Sequence, residues 1–503
     1  MTPVMDYVNE IAARFDSAIE SRNNKAIMKQ ISWAKKECET VSGFIKAAYH
    51  YYIATAYGAI EPRGSVDADK YTRKQMLHYR LSVDAFDAVA EIDRDTDYYL
   101  LNSMMLTNYA NLLRNCGRFI AAIQKYRQAV SCWPEAGMAL GNLGIQYNYY
   151  GRVAINRNDS VYFHKMAYDA LQLSVTLDDP NVYDKAKNLF EQYLTAYSET
   201  PVAQMQLCLE TEEKNASMTK TEYRYRKWAL QNNLFLNELN DTPLEWLWIA
   251  EDDIHIGPIT EDTVNPPVYF SMFNQIKQEY AYARYLIHEA FLMKERKQPY
   301  YADKKIHLTY SLDYACYSMR LEHLKSAFTT LFNLFDRIAF LLNAYFKIGI
   351  RPEDVSFSSI WNKHKGNPDT TGYVYSNPLS LQSNYALQAL HWMFYDMECQ
   401  TDASNPHLPR MRDIRHALTH RYTKVITEGI VSLEGAATLD EVAFHVTDEE
   451  LETLTMELIA SLREAIMYAV FSIRIEEDKK REAEPNRTII QLPIDEYCDE
   501  WKK

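Results

Sequence analysis

Apolar residues recur at intervals of three and four along most of the chain, for example in MDYVNEIAARFDSAIE and in FNQIKQEYAYARYLIHEAFLMKE. This spacing places them on one face of an α-helix. Turn-forming residues are scarce, with 14 Gly and 17 Pro among 503 residues, which favours long helices with short connections over many short strands. The sequence therefore predicts an all-α protein, and its length predicts two or three domains.

Charge and cysteine usage limit the kinds of partner and compartment. The net charge of −14 argues against a broad surface that coats nucleic acid, but it leaves room for a small basic site. The seven cysteines are scattered and form no C-x-x-C pair, which predicts reduced thiols rather than a disulfide framework or a zinc knuckle. The first residues lack the pattern of a signal peptide and no segment is long and apolar enough to span a membrane, so we expect a cytoplasmic protein.

Residues 1–200 contain a helical repeat. Small and large residues from Leu106 to Pro134 follow the order of a tetratricopeptide (TPR) unit, with Gly117 at the turn. Ala110 and Ala122 would let two helices approach closely, and Tyr126 would fill the groove beside them. The same pattern starts again 34 positions later, with matches at Leu143, Gly144, Tyr147 and Gly151.

The second helix of this next unit is expected to be displaced by the insert NRNDSVYF and to resume at Ala167 and Leu171. The sequence predicts a TPR-like solenoid, and a generic helical bundle is the alternative. A solenoid usually offers a concave surface, so we expect a groove that binds a peptide or a protein.

The rest of the chain divides into three parts. Residues 201–267 form a connector that includes the Asn-rich segment QNNLFLNELND and packs through Trp228, Leu234, Leu236 and Trp246. Residues 268–482 form a second helical domain, in which the apolar run from Leu331 to Phe346 is expected at the centre. The segment 351–378 is predicted to be an inserted loop, and residues 483–503 a charged tail.

One segment of the second domain, NPHLPRMRDIRHALTHRYTK, combines arginines with histidines. Two prolines preclude a helix that runs in from upstream, so a helix is expected to begin near Arg410. The segment gathers Arg410, Arg412, Arg415, Arg421 and Lys424 with only Asp413 opposing them, and His407, His416 and His420 are interleaved. On an acidic protein this local positive charge suits a phosphate ligand.

The spacing of Arg415, His420 and Tyr422 (R-x4-H-x-Y), with His416 directly after the arginine, resembles the motif of HEPN ribonucleases. The resemblance covers roughly residues 270–480. The order of a TPR-like front, an Asn-rich connector and this motif also resembles a bacterial family of TPR–HEPN proteins. It implies a helical HEPN domain, an endoribonuclease and hydrolase that needs no metal or cofactor, and a role as a toxin or in antiviral defence.

The resemblance also implies roles for individual residues. Arg415 would stabilise the phosphate and the transition state, and His420 would be the acid or base. His416 and Tyr422 would orient the phosphate or polarise His420. The RNA-binding arginines would be Arg410, Arg412 and Arg421, and Asp336 would support the motif arginine.

Helix geometry complicates a site within one chain. Positions five apart lie about 140° apart around a regular helix, so Arg415 and His420 point in different directions, whereas Arg415 and Tyr422, seven apart, would share a face. Two motifs that face each other across a dimer interface would solve this problem, as the resemblance implies. We therefore expect a homodimer or a higher assembly of dimers, and a distorted helix start is the alternative.

Other interpretations of these residues stay open. His416 and His420, four apart, share the spacing of zinc ligands, but no HExxH glutamate or further ligand accompanies them. The acidic stretch from Glu251 to His255 is read as a solvated loop, and His288 with Glu289 as ordinary helix residues. The alternative for the motif itself is a basic helix start on a non-catalytic TPR scaffold whose HEPN-like domain only dimerises.

Overall fold

A computed structural model describes residues 3–177, 179–198, 200–205, 218–260, 268–296, 298–309, 315–361, 383–397, 404–427, 442–485 and 497–502. The protein is all-α, as predicted, and the described residues contain one pair of short strands. The polar start of the connector, most of the expected inserted loop and the TIIQLPIDE part of the tail lie outside the described residues. Within the described residues, no helix is both long enough and apolar enough to cross a membrane.

The N-terminal half is a succession of helices. They are α1 (Pro3–Glu20), α2 (Asn24–Cys38), α3 (Gly43–Gly58), α4 (Ser65–Asp87), α5 (Thr96–Asn115), α6 (Phe119–Cys132), α7 (Gly137–Val153), α8 (Ser160–Thr176) and α9 (Asp184–Tyr197). Neighbours in this series pack on one another, most extensively in the pairs α3–α4, α5–α6 and α7–α8. We call helices α1–α9 the repeat half.

The predicted first repeat corresponds to the pair α5–α6. Ala110, Ala122 and Tyr126 are fully buried, and the Tyr126 hydroxyl donates a hydrogen bond of 2.6 Å to Asn111. Gly117 lies in the turn with a φ of +79°, a conformation that favours glycine. The small residues thus bring the two helices together as expected, while the assignment to the TPR class stays a prediction.

The second repeat differs from the expectation at its insert. Helix α8 already begins at Ser160, so SVYF belongs to the helix, and residues 154–159 separate it from α7. Ala167 and Leu171 are fully buried. A Cβ at Gly144 would lie 2.6 Å from Leu171 Cγ, so the glycine is what allows α7 and α8 to pack this closely.

The described part of the connector has a folded structure and packs against the rest of the protein. It contains α10 (Lys220–Gln231) and a short 3₁₀ helix, Glu238–Asp241, all four residues of which are buried. Arg463, from the C-terminal domain, donates to the carbonyl oxygens of Phe235 (2.6 Å) and Asn237 (2.9 Å) and to the Asp241 carboxylate (2.6 Å). The Asn-rich segment therefore joins the two halves of the protein.

The C-terminal helices form a bundle. They are α11 (Val268–Lys294), α12 (Met319–Tyr345), α13 (Tyr385–Met397), α14 (Leu408–His420) and α15 (Asp448–Ala483). Helix α12 packs against α11 and α15, and α15 also packs against α13. Most apolar residues of the run from Leu331 to Phe346 are buried as predicted, and Phe340, Ala344 and Phe346 are partly buried. Asp336 is half-buried and Arg337 is exposed.

Two strands that the sequence did not predict flank the region after α14. Strand β1 (Thr423–Ile426) pairs in parallel with β2 (Phe444–Thr447), and β2 leads directly into α15. The backbone N–H of Phe444 donates to the carbonyl oxygen of Tyr422 at 2.8 Å. The chain beyond the motif helix is thereby attached to the start of α15.

The repeat half packs tightly on the C-terminal bundle. A Cβ at Gly117 would lie 2.5 Å from the carbonyl oxygen of Tyr385, so the α5–α6 turn touches the start of α13. Arg118, buried beside it, forms ion pairs of 2.6 Å with Asp396 and 2.5 Å with Glu464. These contacts place the repeat half against α13 and α15, close to the segment that enters α14.

Candidate functional site

Helix α14 carries the predicted motif. It begins at Leu408, two residues earlier than expected, with Pro409 in the first turn, where a missing N–H costs no helical hydrogen bond. Its buried residues are spaced three apart at Leu408, Met411, Ile414 and Ala417, and they anchor one face to the bundle. The polar residues of the motif therefore face outward.

Arg415 lies against helix α12. One of its guanidinium nitrogens is 3.8 Å from an Asp336 carboxylate oxygen and 3.5 Å from the Asn333 side-chain oxygen. The guanidinium carbon is 5.4 Å from the centre of the Phe332 ring. The Arg415 side chain keeps 42% of its surface exposed, so it remains able to contact a phosphate.

His416 and His420 lie at the exposed end of α14. Their ring centres are 5.2 Å apart, as their spacing of four residues requires. Within the described part of the chain, neither imidazole makes a hydrogen bond. Helix α14 is continuous from Leu408 to His420, so a distorted helix start does not bring Arg415 and His420 onto one face.

Tyr422 lies beyond the helix, which corrects the expectation that it shares a helical face with Arg415. The helix ends at His420 because Arg421 adopts an extended backbone, with φ −129° and ψ 163°. Tyr422 is 52% exposed, and the Lys424 ammonium lies 5.4 Å from its ring centre. The structure therefore places the tyrosine on the connection between α14 and β1, close in sequence to His420.

The three arginines that were expected to bind substrate have different surroundings. Arg412 and Arg421 are exposed. Arg410 instead forms a bidentate ion pair with Glu450 at 2.6 and 2.8 Å, donates to the carbonyl oxygen of His445, and covers the Phe444 ring. Its Nε and one of its two terminal nitrogens are engaged by the protein, so the structure favours a structural role for Arg410 over substrate binding.

Two rival interpretations can be compared with the structure. The described residues contain no group of three or more His, Cys, Asp or Glu side chains that is arranged to hold a metal. The stretch from Glu251 to His255 is not simply a solvated loop, because Asp252 forms a bidentate ion pair with the buried Arg284 at 2.6 and 2.8 Å. His288 is a core residue whose ring centre lies 5.1 Å from that of Trp228.

His407, for which the sequence predicts no specific role, directly precedes the motif helix. His407 Nδ1 lies 2.7 Å from a Glu457 carboxylate oxygen on α15, and Nε2 lies 3.4 Å from Asp84 on α4. These hydrogen bonds, to Asp84 and to Glu457, raise the pKa of His407 to about 10. No local pattern signals this bridge, because Glu457 is 50 residues away and Asp84 lies in another domain.

Comparisons with known proteins bear on the C-terminal half. The search of curated proteins and the search of solved structures gave no match. The scan of protein families matched residues 260–476 to the family described as LA2681-like HEPN. The match contains helices α11–α14 and most of α15, and with them Asp336 and the whole motif. This match supports the HEPN domain that the sequence predicts for the C-terminal region.

Proposed function

We propose that the protein is an endoribonuclease of the HEPN type that cleaves RNA without a metal ion. The observation that carries the proposal is an exposed group on a HEPN domain, formed by Arg415, His416 and His420. The arginine is held loosely by an acid at 3.8 Å. Both imidazoles are open to solvent and make no hydrogen bond among the described residues.

The chemistry needs only groups of this kind, because RNA carries its own nucleophile. The 2′-oxygen attacks the neighbouring phosphorus and loses its proton, the bond from phosphorus to the 5′-oxygen breaks, and the leaving oxygen gains a proton. The products are a 2′,3′-cyclic phosphate and a 5′-hydroxyl. Imidazoles in general can accept or donate such protons, and an arginine can stabilise the charge on the phosphate oxygens. We assign the first role to His420 and the second to Arg415.

A complete site would use two copies of the chain. Arg415 and His420 are five positions apart on a continuous helix, so they are separated by about 140° around its axis. In a dimer that places two α14 helices face to face, Arg415 of one protomer would meet His420 of its partner. Exposed Arg412 and Arg421 would extend the positive surface along the RNA.

The repeat half would regulate this activity. It contacts α13, α15 and the start of α14, so a partner bound to its groove would act on the catalytic domain through these contacts. A cytoplasmic ribonuclease restrained in this way suits a toxin-like effector in bacterial antiviral defence.

The direct test compares purified wild-type protein with Arg415→Ala and His420→Ala on total RNA in the presence of EDTA. Arg337→Ala, which removes an exposed arginine from α12, serves as the matched control. We expect cleavage, with cyclic phosphate ends, by the wild type and the control only. Cleavage that persists in both motif variants, or that requires a metal ion, would contradict the mechanism. A wild type that dimerises but leaves RNA intact would favour the scaffold.

A further inference from the structure

The residue that precedes the motif helix connects three parts of the protein. His407 presents Nδ1 to Glu457 on α15 at 2.7 Å and Nε2 to Asp84 on α4 at 3.4 Å. The side chains of all three are partly exposed, at 39% for His407, 31% for Glu457 and 41% for Asp84. A carboxylate thus faces each ring nitrogen, and one of the two belongs to the repeat half.

The first turn of α14 is also fixed to α15 without the help of the repeat half. Glu450 holds Arg410, and Glu457, seven residues farther along α15, holds Asn405 at 2.9 Å as well as His407. Glu450 and Glu457 lie about two turns apart on nearly the same face of α15. The start of the motif helix is therefore attached to α15 at two points, Glu450 and Glu457.

A second set of contacts connects the repeat half to the segment that enters α14. Arg80 and Arg118 each place a nitrogen 2.6 Å from the Asp396 carboxylate on α13. The hydroxyl of Ser404 donates to the same carboxylate at 2.7 Å. The chain from Ser404 to His407 is therefore tied to the repeat half near both of its ends, through Asp396 and through Asp84.

The buried contacts of Asp396 and the exposed contact between His407 and Asp84 differ in how easily they can break. Asp396 and Arg118 are buried, and removing one partner would leave an unpaired charge in the interior. Asp84 and His407 line a cleft of about 400 Å³ between the two halves, where solvent reaches them. Their contact is long, at 3.4 Å, and screened, so it can break without disrupting the core.

We propose that His407 is a positioning residue through which the repeat half sets the orientation of the motif helix. Helix α14 is a continuous rod, so a shift of its first turn is carried along it to Arg415 and His420. The consequence for catalysis rests on the proposed ribonuclease function, whereas the mechanical coupling does not.

The test weakens the contact from the side of the repeat half. Asp84→Asn removes the charge that faces His407, and Asp87→Asn, on the same helix, is the matched control because Asp87 does not contact His407. We expect hydrogen exchange of the α14 backbone amides to speed up several-fold in Asp84→Asn and to stay unchanged in the control. Asp84→Glu, which restores a carboxylate, should return exchange toward the wild-type rate.

Cleavage kinetics supply the second measurement. A misplacement of about 1 Å can slow a reaction by about 100-fold, so we expect a partial loosening to lower kcat by about tenfold. KM should change little, because the phosphate-binding residues are still present. If Asp84 only stabilised the fold, Asp84→Asn would lower the free energy of unfolding but would not lower kcat at a nearly constant KM.

The outcomes separate the proposal from the proposed function. Wild-type exchange rates over α14 in Asp84→Asn would overturn the coupling, and so would a kcat that rises or stays constant. If the wild-type protein cleaves no RNA, the ribonuclease proposal fails, while faster exchange in Asp84→Asn and its reversal by Asp84→Glu would still support the coupling.

Discussion

The carboxylate of Asp336 has two partners: one oxygen lies 3.8 Å from the Arg415 guanidinium, and the other accepts a hydrogen bond of 3.0 Å from the backbone N–H of Phe357. The acid thus accepts a hydrogen bond from the segment after α12 and lies beside an arginine on α14. Asp336 and its neighbour Arg337 interrupt the mostly apolar run from Leu331 to Phe346. The contact with Arg415 offers a reason for an acid at this position.

The first prediction concerns this pair. Asp336→Asn keeps an acceptor for Phe357 but removes the charge that faces Arg415, so the arginine should lose its preferred orientation. We expect kcat for RNA cleavage to fall by about tenfold, because catalytic groups lose efficiency when they are not held in place. Stability should change little, since the acid is 38% exposed.

Two further variants sharpen this prediction. Asp336→Glu retains the charge and should recover part of the activity. Asp354→Asn removes an exposed acid of the neighbouring segment, whose nearest partner is Arg351, and should cleave like the wild type. Full activity in Asp336→Asn would mean that Arg415 needs no support from α12.

The second prediction tests the composite site by complementation. In a mixed dimer of Arg415→Ala and His420→Ala chains, one interface site would contain both intact residues and the other would contain neither. Mixing the two inactive proteins under conditions that allow subunit exchange should therefore restore cleavage. Sedimentation of each variant alone must first show a dimer of wild-type size.

A double variant provides the control for complementation. Arg415→Ala/His420→Ala chains mixed with either single variant cannot rebuild a site and should stay inactive. If exchanging dimers of the two single variants show no cleavage, the two residues do not act across the interface. A monomeric wild-type protein with full activity would exclude the composite site.

The sequence predicted the helices well because their signal is local. The helix expected over residues 273–295 is found at Val268–Lys294, and the apolar run in α12 is buried as expected. The motif helix was also predicted to within two residues, since prolines define its start. Each of these results depends on neighbouring positions along the chain, where periodicity and turn chemistry are visible.

The partners of the charged residues were not predictable in this way. Arg410 was expected to bind RNA, but its partner Glu450 follows 40 residues later, on another helix. Arg118 and Glu464 are separated by 346 residues, and neither lies in a pattern that identifies the other. The strands β1 and β2 are only four residues each, too short for alternation to reveal them. Pairings of this kind are decided by tertiary packing.

The third prediction concerns the junction of the two halves. Arg118 is buried and neutralises both Asp396 and Glu464, so Arg118→Met would leave Glu464 without its partner and Asp396 with Arg80 alone. We expect a loss of about 3 to 5 kcal/mol in the free energy of unfolding, measured with denaturant. Arg157→Met, at an exposed position in the repeat half, should change it by less than about 0.5 kcal/mol. An equally small change for Arg118→Met would show that the ion pairs do not hold the halves together.

The last prediction is a pH dependence. The hydrogen bonds of His407 to Asp84 and Glu457 raise its pKa to about 10 from an ordinary value of 6.5, so protonated His407 stabilises the folded protein. This contribution is complete below pH 6.5 and is lost as the pH rises toward 10. The difference in unfolding free energy between wild type and His407→Gln should therefore shrink between pH 6.5 and 10. A wild-type advantage that stays constant or grows over this range would mean that the two carboxylates do not hold His407 in its protonated form.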